Sequence, residues 1–167
     1  LLGIMGMLPR NPWYQGASFA DHIMISGSDE AAMYAEAKVD PGKLLYYGSH
    51  EFDVLFDRWF RRTELRLKII DAERLDLGKS ILIVALPRLW EQNLTSKEVH
   101  WQSINKILEV LSRQDCNVMV SLHPHCDRSQ YDWIEDKYPV KICESPLKDV
   151  LPVADVYVAT YSSTIRW

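Results

Sequence analysis

The chain has 167 residues, 47% of them hydrophobic, 25% charged and 11% aromatic, with 7 Gly and 8 Pro; these values exclude disordered, collagen-like and low-complexity chains. The 19 basic and 23 acidic residues give a formal net charge of −4 without a basic half, so bulk electrostatics gives no support for nucleic-acid binding. No apolar run approaches the roughly 20 residues that cross a bilayer, and the opening LLGIMGML lacks the basic flank of a signal peptide.

The first dozen residues, with Gly3, Gly6, Pro9 and Pro12, read as irregular. His22 to Ser26 predicts a short strand. Gly27-Ser28-Asp29-Glu30 then opens an Ala-rich helix running to about Val39, because acidic residues suit a first helical turn. Asp40-Pro41-Gly42 is a turn signal, and Lys43 to Tyr47 predicts a second strand closed by Gly48-Ser49. From about His50 to Leu75 the pattern predicts one long helix, with Phe52, Leu55, Phe56 and Trp59 on one face. Asp76-Leu77-Gly78-Lys79 ends it and marks the expected domain boundary, dividing the chain into residues 1–76 and 77–167.

The second part starts from Ser80 to Leu86, an unbroken apolar run that suits the middle of a parallel sheet covered on both faces. Thr95-Ser96-Lys97-Glu98 matches a capping box. It opens a helix whose inward stripe is expected to be Trp101, Ile104, Leu108 and Leu111. Asn117 to Leu122 predicts the next strand, 128–137 a helix, Val140 to Cys143 a short strand, Pro146 to Val153 a short helix, and Asp155 to Thr160 a fourth strand. Strands alternating with helices imply an α/β fold with a parallel, Rossmann-like sheet.

In open parallel sheets ligands bind beyond the carboxyl ends of the strands. Four segments meet that condition: Pro87 to Glu91, His123-Pro124-His125, Glu144-Ser145 and Tyr161-Ser162-Ser163. Arg88 is suited to bidentate phosphate binding; the alternative is a loop ion pair with Glu91. His123 at a strand end is suited to donate to a phosphate or sugar oxygen, or to act as acid or base; a purely structural histidine is the alternative. Ser162 and Ser163 follow a strand where a helix N-terminus would offer free N–H groups to an anion; a plain serine cap is the alternative. His123 to Asp127 places two His, a Cys and an Asp within five residues, but without a second ligand pair this is a poor zinc pattern. No GxGxxG, GxxxxGK[ST] or GxSxG occurs, so neither a dinucleotide fingerprint, a P-loop nor a nucleophile elbow is available. Cys116, Cys126 and Cys143 read as reduced thiols, which favours a cytoplasmic setting. The segment Arg58 to Lys68 is basic and aromatic; a solvated helix face is its ordinary explanation, and peripheral contact with an anionic membrane face is the functional one.

Taken in order, SILIVALP, LHPH, the block PLKDVLPVADV and the closing Tyr161-Ser162-Ser163 resemble the nucleotide-binding domain of GT-B-fold glycosyltransferases. The resemblance is to the bacterial polysaccharide and CDP-glycerol glycerophosphotransferase type in particular. DHIMISGSDEAAMYAEAKVDPGKLLYYGSHEFDVLF is similar to the end of the first, acceptor-side domain of such enzymes, with Gly48, Ser49 and His50 where that domain meets the linker. Two departures stand out. Thr160 occupies the place where many relatives carry Asp, and TYSSTIRW differs from the TDSGG pattern of the related UDP-sugar 2-epimerases.

The resemblance implies transfer of a nucleotide-activated sugar or polyol onto a surface-polysaccharide or lipid-linked acceptor. Its partners would be a nucleotide-sugar or CDP-polyol donor and a glycan or lipid-linked acceptor. Ser162, Ser163, Arg88 and Glu144 would line the donor site, and His123 would be the catalytic residue. No metal or cofactor is implied, because helix N-termini and side chains stabilise the leaving group in such enzymes. The alternatives are a 2-epimerase and a non-catalytic nucleotide-sugar-binding module. The absence of an initiator Met and the stop just after Ser162-Ser163 suggest a piece of a longer protein.

Overall fold

In the computed structural model, which describes residues 19–160, the chain divides between Val54 and Leu55 into two compact units. The first holds strand β1 (Ile23–Ile25), helix α1 (Ser28–Glu36) and strand β2 (Leu44–Tyr46). β1 and β2 pair in parallel, with Ile23 opposite Leu44 and Ile25 opposite Tyr46. This is the small separate sheet that the β-α-β pattern predicts. Glu30 reaches back from the first turn of α1 to accept from the Ser26 N–H and hydroxyl, both at 2.8 Å. The helix stops at Glu36, short of Val39, because Lys38 takes a left-handed φ of 58° and the Val39 N–H turns back to the Tyr34 carbonyl. Ile25, Tyr34 and Val39 form this unit's core.

The predicted long helix is two helices, α2 (His50–Phe60) and α3 (Arg62–Ala72). They break at Arg61, whose backbone (φ −99°, ψ 16°) leaves the helical range. α3 ends where Arg74 adopts φ 55° and the Leu75 N–H bonds the Ile70 carbonyl at 2.8 Å.

The second unit carries a four-stranded parallel sheet in the order β5-β4-β3-β6. Its strands are β3 (Ile81–Ala85), β4 (Asn117–Ser121), β5 (Lys141–Ile142) and β6 (Val156–Ala159). Side chains alternate across the pleat, which explains why the run from Ile81 is apolar throughout. Leu82, Val84, Val118 and Val120 join Ile104 and Leu108 of helix α4 (Lys97–Leu111) and Ile134 of helix α5 (Trp133–Lys137). Ile81, Ile83 and Met119 join Ile70 of α3 and Val150 of helix α6 (Leu147–Val150). Because α3 is built into that second layer, the observed division falls before it, whereas the sequence reading places the boundary after residue 76.

Two further details differ from expectation. The cap of α4 is Ser96 rather than Thr95: its Oγ accepts from the Val99 N–H at 3.3 Å. The stripe of α4 that is fully buried is His100, Ile104 and Leu108, with Trp101 and Leu111 only half-buried at its flank.

The basic residues of α2 and α3 act inside the second unit. Arg58 donates to the Lys148 carbonyl at 2.7 Å and pairs with Asp149. Arg66 donates to the Val153 and Lys79 carbonyls at 2.8 and 3.1 Å and pairs with Asp155 at 2.9 Å; Arg62 lies 3.5 Å from the same carboxylate. Three cations of this basic segment thus tie α2 and α3 to Asp149 of α6 and to Asp155 just before β6.

Asp155 also accepts from the Ile81 N–H at 2.8 Å, holding β6 to the start of β3. Burial works to raise its pKa, but the Ile81 N–H, Arg66 and Arg62 outweigh that and hold the carboxyl below its ordinary range. Asp155→Ala strands a buried N–H, and a loss of about 1–3 kcal/mol in urea unfolding is expected. A carboxyl held low stabilises the fold above its unfolded pKa, and that contribution is lost as pH falls through the folded value. The variant should therefore lose less further stability than the parent between pH 5 and 3. A parallel acid response in both proteins would contradict this role.

Candidate functional site

All four strands of the second sheet run the same way, so their carboxyl ends reach one edge. Ala85 stands opposite both Ser121 and Ala159, and Val120 opposite Ile142. Arg88, His123, Glu144 and Thr160 leave the sheet there, each within three residues of its strand. Ser162 and Ser163 lie outside the described residues. Glu144 is exposed in the turn after β5, where the Ser145 N–H donates to buried Glu73 of the α3 end at 3.2 Å.

Arg88 and His123 meet directly, Arg88 Nη1 lying 3.4 Å from His123 Nδ1. The His125 N–H donates to that same nitrogen at 3.1 Å. Two donors aimed at Nδ1 assign the imidazole proton to Nε2. Burial lowers the His123 pKa, and the neighbouring Arg88 and His125 lower it further against the opposing pull of Glu91. At neutral pH the ring is therefore uncharged and offers one N–H donor beside a fixed guanidinium. Arg88 Nε is buried and has no hydrogen-bond partner among the described residues.

Glu91 forms no ion pair with Arg88 among the described residues, so the loop-pair alternative is not what the fold adopts. The turn that brings the Gln92 N–H to the Arg88 carbonyl and the Leu94 N–H to the Leu89 carbonyl points Glu91 inward. There Glu91 Oε1 accepts from the Tyr131 hydroxyl at 2.5 Å. The Tyr131 oxygen lies 3.3 Å from His100 Nε2 and 3.9 Å from Cys126 Sγ. Tyr131 and His100 are each 1% exposed. Burial and the Glu91 carboxylate push the Tyr131 phenol far above its usual pKa, so it stays protonated and donates. The Cys126 thiol lies 3.9 Å from both Glu91 Oε1 and the Tyr131 oxygen, and its N–H donates to the His123 carbonyl at 2.8 Å. Among the described residues no group of three His, Cys, Asp or Glu is placed to hold a metal ion.

The buried Glu91–Tyr131–His100 network is the part of the site that sequence reasoning missed. Its only signal was His100, four residues before Ile104 and so on the buried stripe of α4. Burial holds the His100 pKa below 6.5, with Glu91 opposing. In the unfolded chain histidine protonates near 6.5. Below that pH the unfolded state binds more protons, so stability falls as pH drops toward the folded value. His100→Gln is expected to flatten the decline of Tm between pH 7 and 5; an undiminished decline would remove His100 from this role.

No protein-family model and no curated protein matches the chain. Its fold is matched by solved structures of the wall teichoic acid polymerase TagF. One, a variant soaked with CDPG, aligns with a TM-score of 0.57 at 17% identity over 92% of this chain and 38% of that one. TagF itself aligns with a TM-score of 0.54 at 17% identity over 92% of this chain and 39% of that one. A further variant gives 0.54 at the same identity and coverage. The chain therefore spans about two-fifths of the length of these proteins. The likeness establishes the fold: α/β with a parallel sheet, of GT-B type. No helix among the described residues is long and apolar enough to cross a membrane.

Proposed function

We propose that this chain carries the donor-binding half of a transferase that uses a nucleotide-activated polyol or sugar, of the CDP-glycerol glycerophosphotransferase kind. The observation that carries the reading is the Arg88–His123 pair at the carboxyl edge of the sheet. A guanidinium and a neutral imidazole whose proton sits on Nε2 are complementary to diphosphate oxygens. The TagF likeness supports the class, and the structure soaked with CDPG supports a cytidine diphosphate donor.

In the proposed reaction an acceptor hydroxyl attacks the phosphorus bearing the glycerol. The bond from that phosphorus to the bridging oxygen breaks, CMP leaves with the bonding pair, and the hydroxyl proton passes through solvent to the departing phosphate. Arg88 balances the charge that gathers on the non-bridging oxygens, an effect strongest when donors are fixed in advance. His123, as the catalytic residue, gives a hydrogen bond from Nε2 to the same group. In this reading Ser162 and Ser163 add hydroxyl donors, and Glu144 completes the donor site. The acceptor is a glycan or a lipid-linked chain, met at a cytoplasmic membrane face. Within residues 1–76, those up to Val54 supply the end of the acceptor-side domain, and the rest is the linker that packs onto the sheet.

Saturation-transfer NMR tests the reading because it registers weak binding. CDP-glycerol is expected to receive saturation at both its cytidine and glycerol protons, with the signal diminished in Arg88→Ala. Absence of transfer to CDP-glycerol, CDP and UDP at millimolar concentration would overturn it.

A further inference from the structure

Outside the Arg88–His123 pair, an open groove of about 600 Å³ lies against α4, lined by Trp90, Trp101, Trp133, Lys97, Lys137 and Asn105 among others. The indoles brace one another. Trp101 meets Trp133 edge-on (5.8 Å, 79°) and Trp90 at a tilt (6.4 Å, 49°), and all three remain half-exposed. Lys97 Nζ lies 4.6 Å from the centre of the Trp90 ring. Lys137 Nζ lies 5.7 Å from that of Trp133 and donates to Asn105 Oδ1 at 2.6 Å.

Lys68, Lys79 and Lys141 each pair with a carboxylate. Among the described residues neither Lys97 nor Lys137 does. Lys106 and Lys148 of the same unit also lack a carboxylate partner among the described residues; Lys97 and Lys137 are set apart by sitting over aromatic rings. In a chain of net charge −4, two ammonium groups held over aromatic faces keep their charge for a ligand.

We infer that this groove binds a phosphate-bearing oligosaccharide. Successive sugar rings would lay their apolar C–H faces on the indoles, and phosphate groups would meet Lys97 and Lys137. The mixture of surfaces selects this chemistry. A polyanion without rings leaves the indoles uncovered, and a neutral sugar leaves the ammonium groups unused. Flexible point charges suit phosphates whose position along a chain varies, while braced aromatics add contact area at little ordering cost. The inference does not depend on the donor reading, since it uses other side chains.

Tryptophan fluorescence titration tests it, with three probes: phosphorylated maltoheptaose, plain maltoheptaose and inorganic tripolyphosphate. Saturable change with the phosphorylated sugar is expected, at least fivefold tighter than with either other probe. Lys97→Glu with Lys137→Glu, both on exposed positions, should weaken that binding at least tenfold. Trp133→Leu should weaken phosphorylated and plain maltoheptaose alike. Added CDP should leave the sugar bound; displacement by CDP would place the sugar in the donor site and overturn the inference. Equal affinity for tripolyphosphate, unchanged affinity in the charge-reversed variant, or no saturable response would overturn it too. CDP-glycerol binding measured on the same variant stays at the parent value, whichever way the sugar titration falls.

Discussion

Replacing Ser162 and Ser163 together with alanine is expected to lower affinity for CDP-glycerol at least tenfold. The two residues follow Thr160, and β6, which ends at Ala159, delivers the chain to the same edge as Arg88 because Ala159 stands opposite Ala85. Each hydroxyl that donates to a charged phosphate contributes about 1.5–3 kcal/mol, and 1.4 kcal/mol is tenfold in affinity. Arg88→Ala should act in the same direction and by at least as much, since it removes a full charge as well as donors. Calorimetric titration against CDP-glycerol reads both. A double serine variant that binds like the parent would reduce Ser162-Ser163 to a helix cap and leave Arg88 to hold the diphosphate.

The largest effect on folding is expected from Ile83→Ala. Ile83 is fully buried at the centre of β3, with strands on both sides and Ile70, Met119, Val150 and Val153 in its cluster. Truncating such a side chain loses its transfer free energy and leaves a cavity, together about 2–5 kcal/mol. Tm should fall on the order of 10 °C. Val156→Ala, on edge strand β6 and 50% exposed, provides the comparison and should cost well under ~1 kcal/mol. Similar losses at the two positions would mean that the sheet's centre is not where the stability lies.

Much of this fold is legible in the sequence because its signals are local. The run Ile81 to Ala85 is apolar on both faces only because helices cover both faces, and β4 and β6 carry weaker versions of the same mark. The break between α2 and α3 left no such mark: Arg61 is a good helix former, and the partners of Arg58, Arg62 and Arg66 on either side of it, Asp149 and Asp155, lie some 90 residues away. The site divides in the same way. Arg88 and His123 were legible as residues that end parallel strands, whatever surrounds them. Glu91, Tyr131 and His100 were not, because a buried carboxylate held by a phenol 40 residues further on looks in sequence like an ordinary loop glutamate.

The most direct measurement of the central claim is a long-range ¹H–¹⁵N NMR spectrum of the histidine rings recorded while CDP is added. Of the chain's 5 histidines, His123 starts neutral with its proton on Nε2. Its resonances, assigned through His123→Gln, should move in a saturable manner, with the ring gaining protonated character as the diphosphate charge arrives beside Arg88. His100, sealed beneath Tyr131, should hold its position. Saturable binding of CDP that leaves the His123 signals in place would put the nucleotide elsewhere and contradict the assignment of this edge as the donor site.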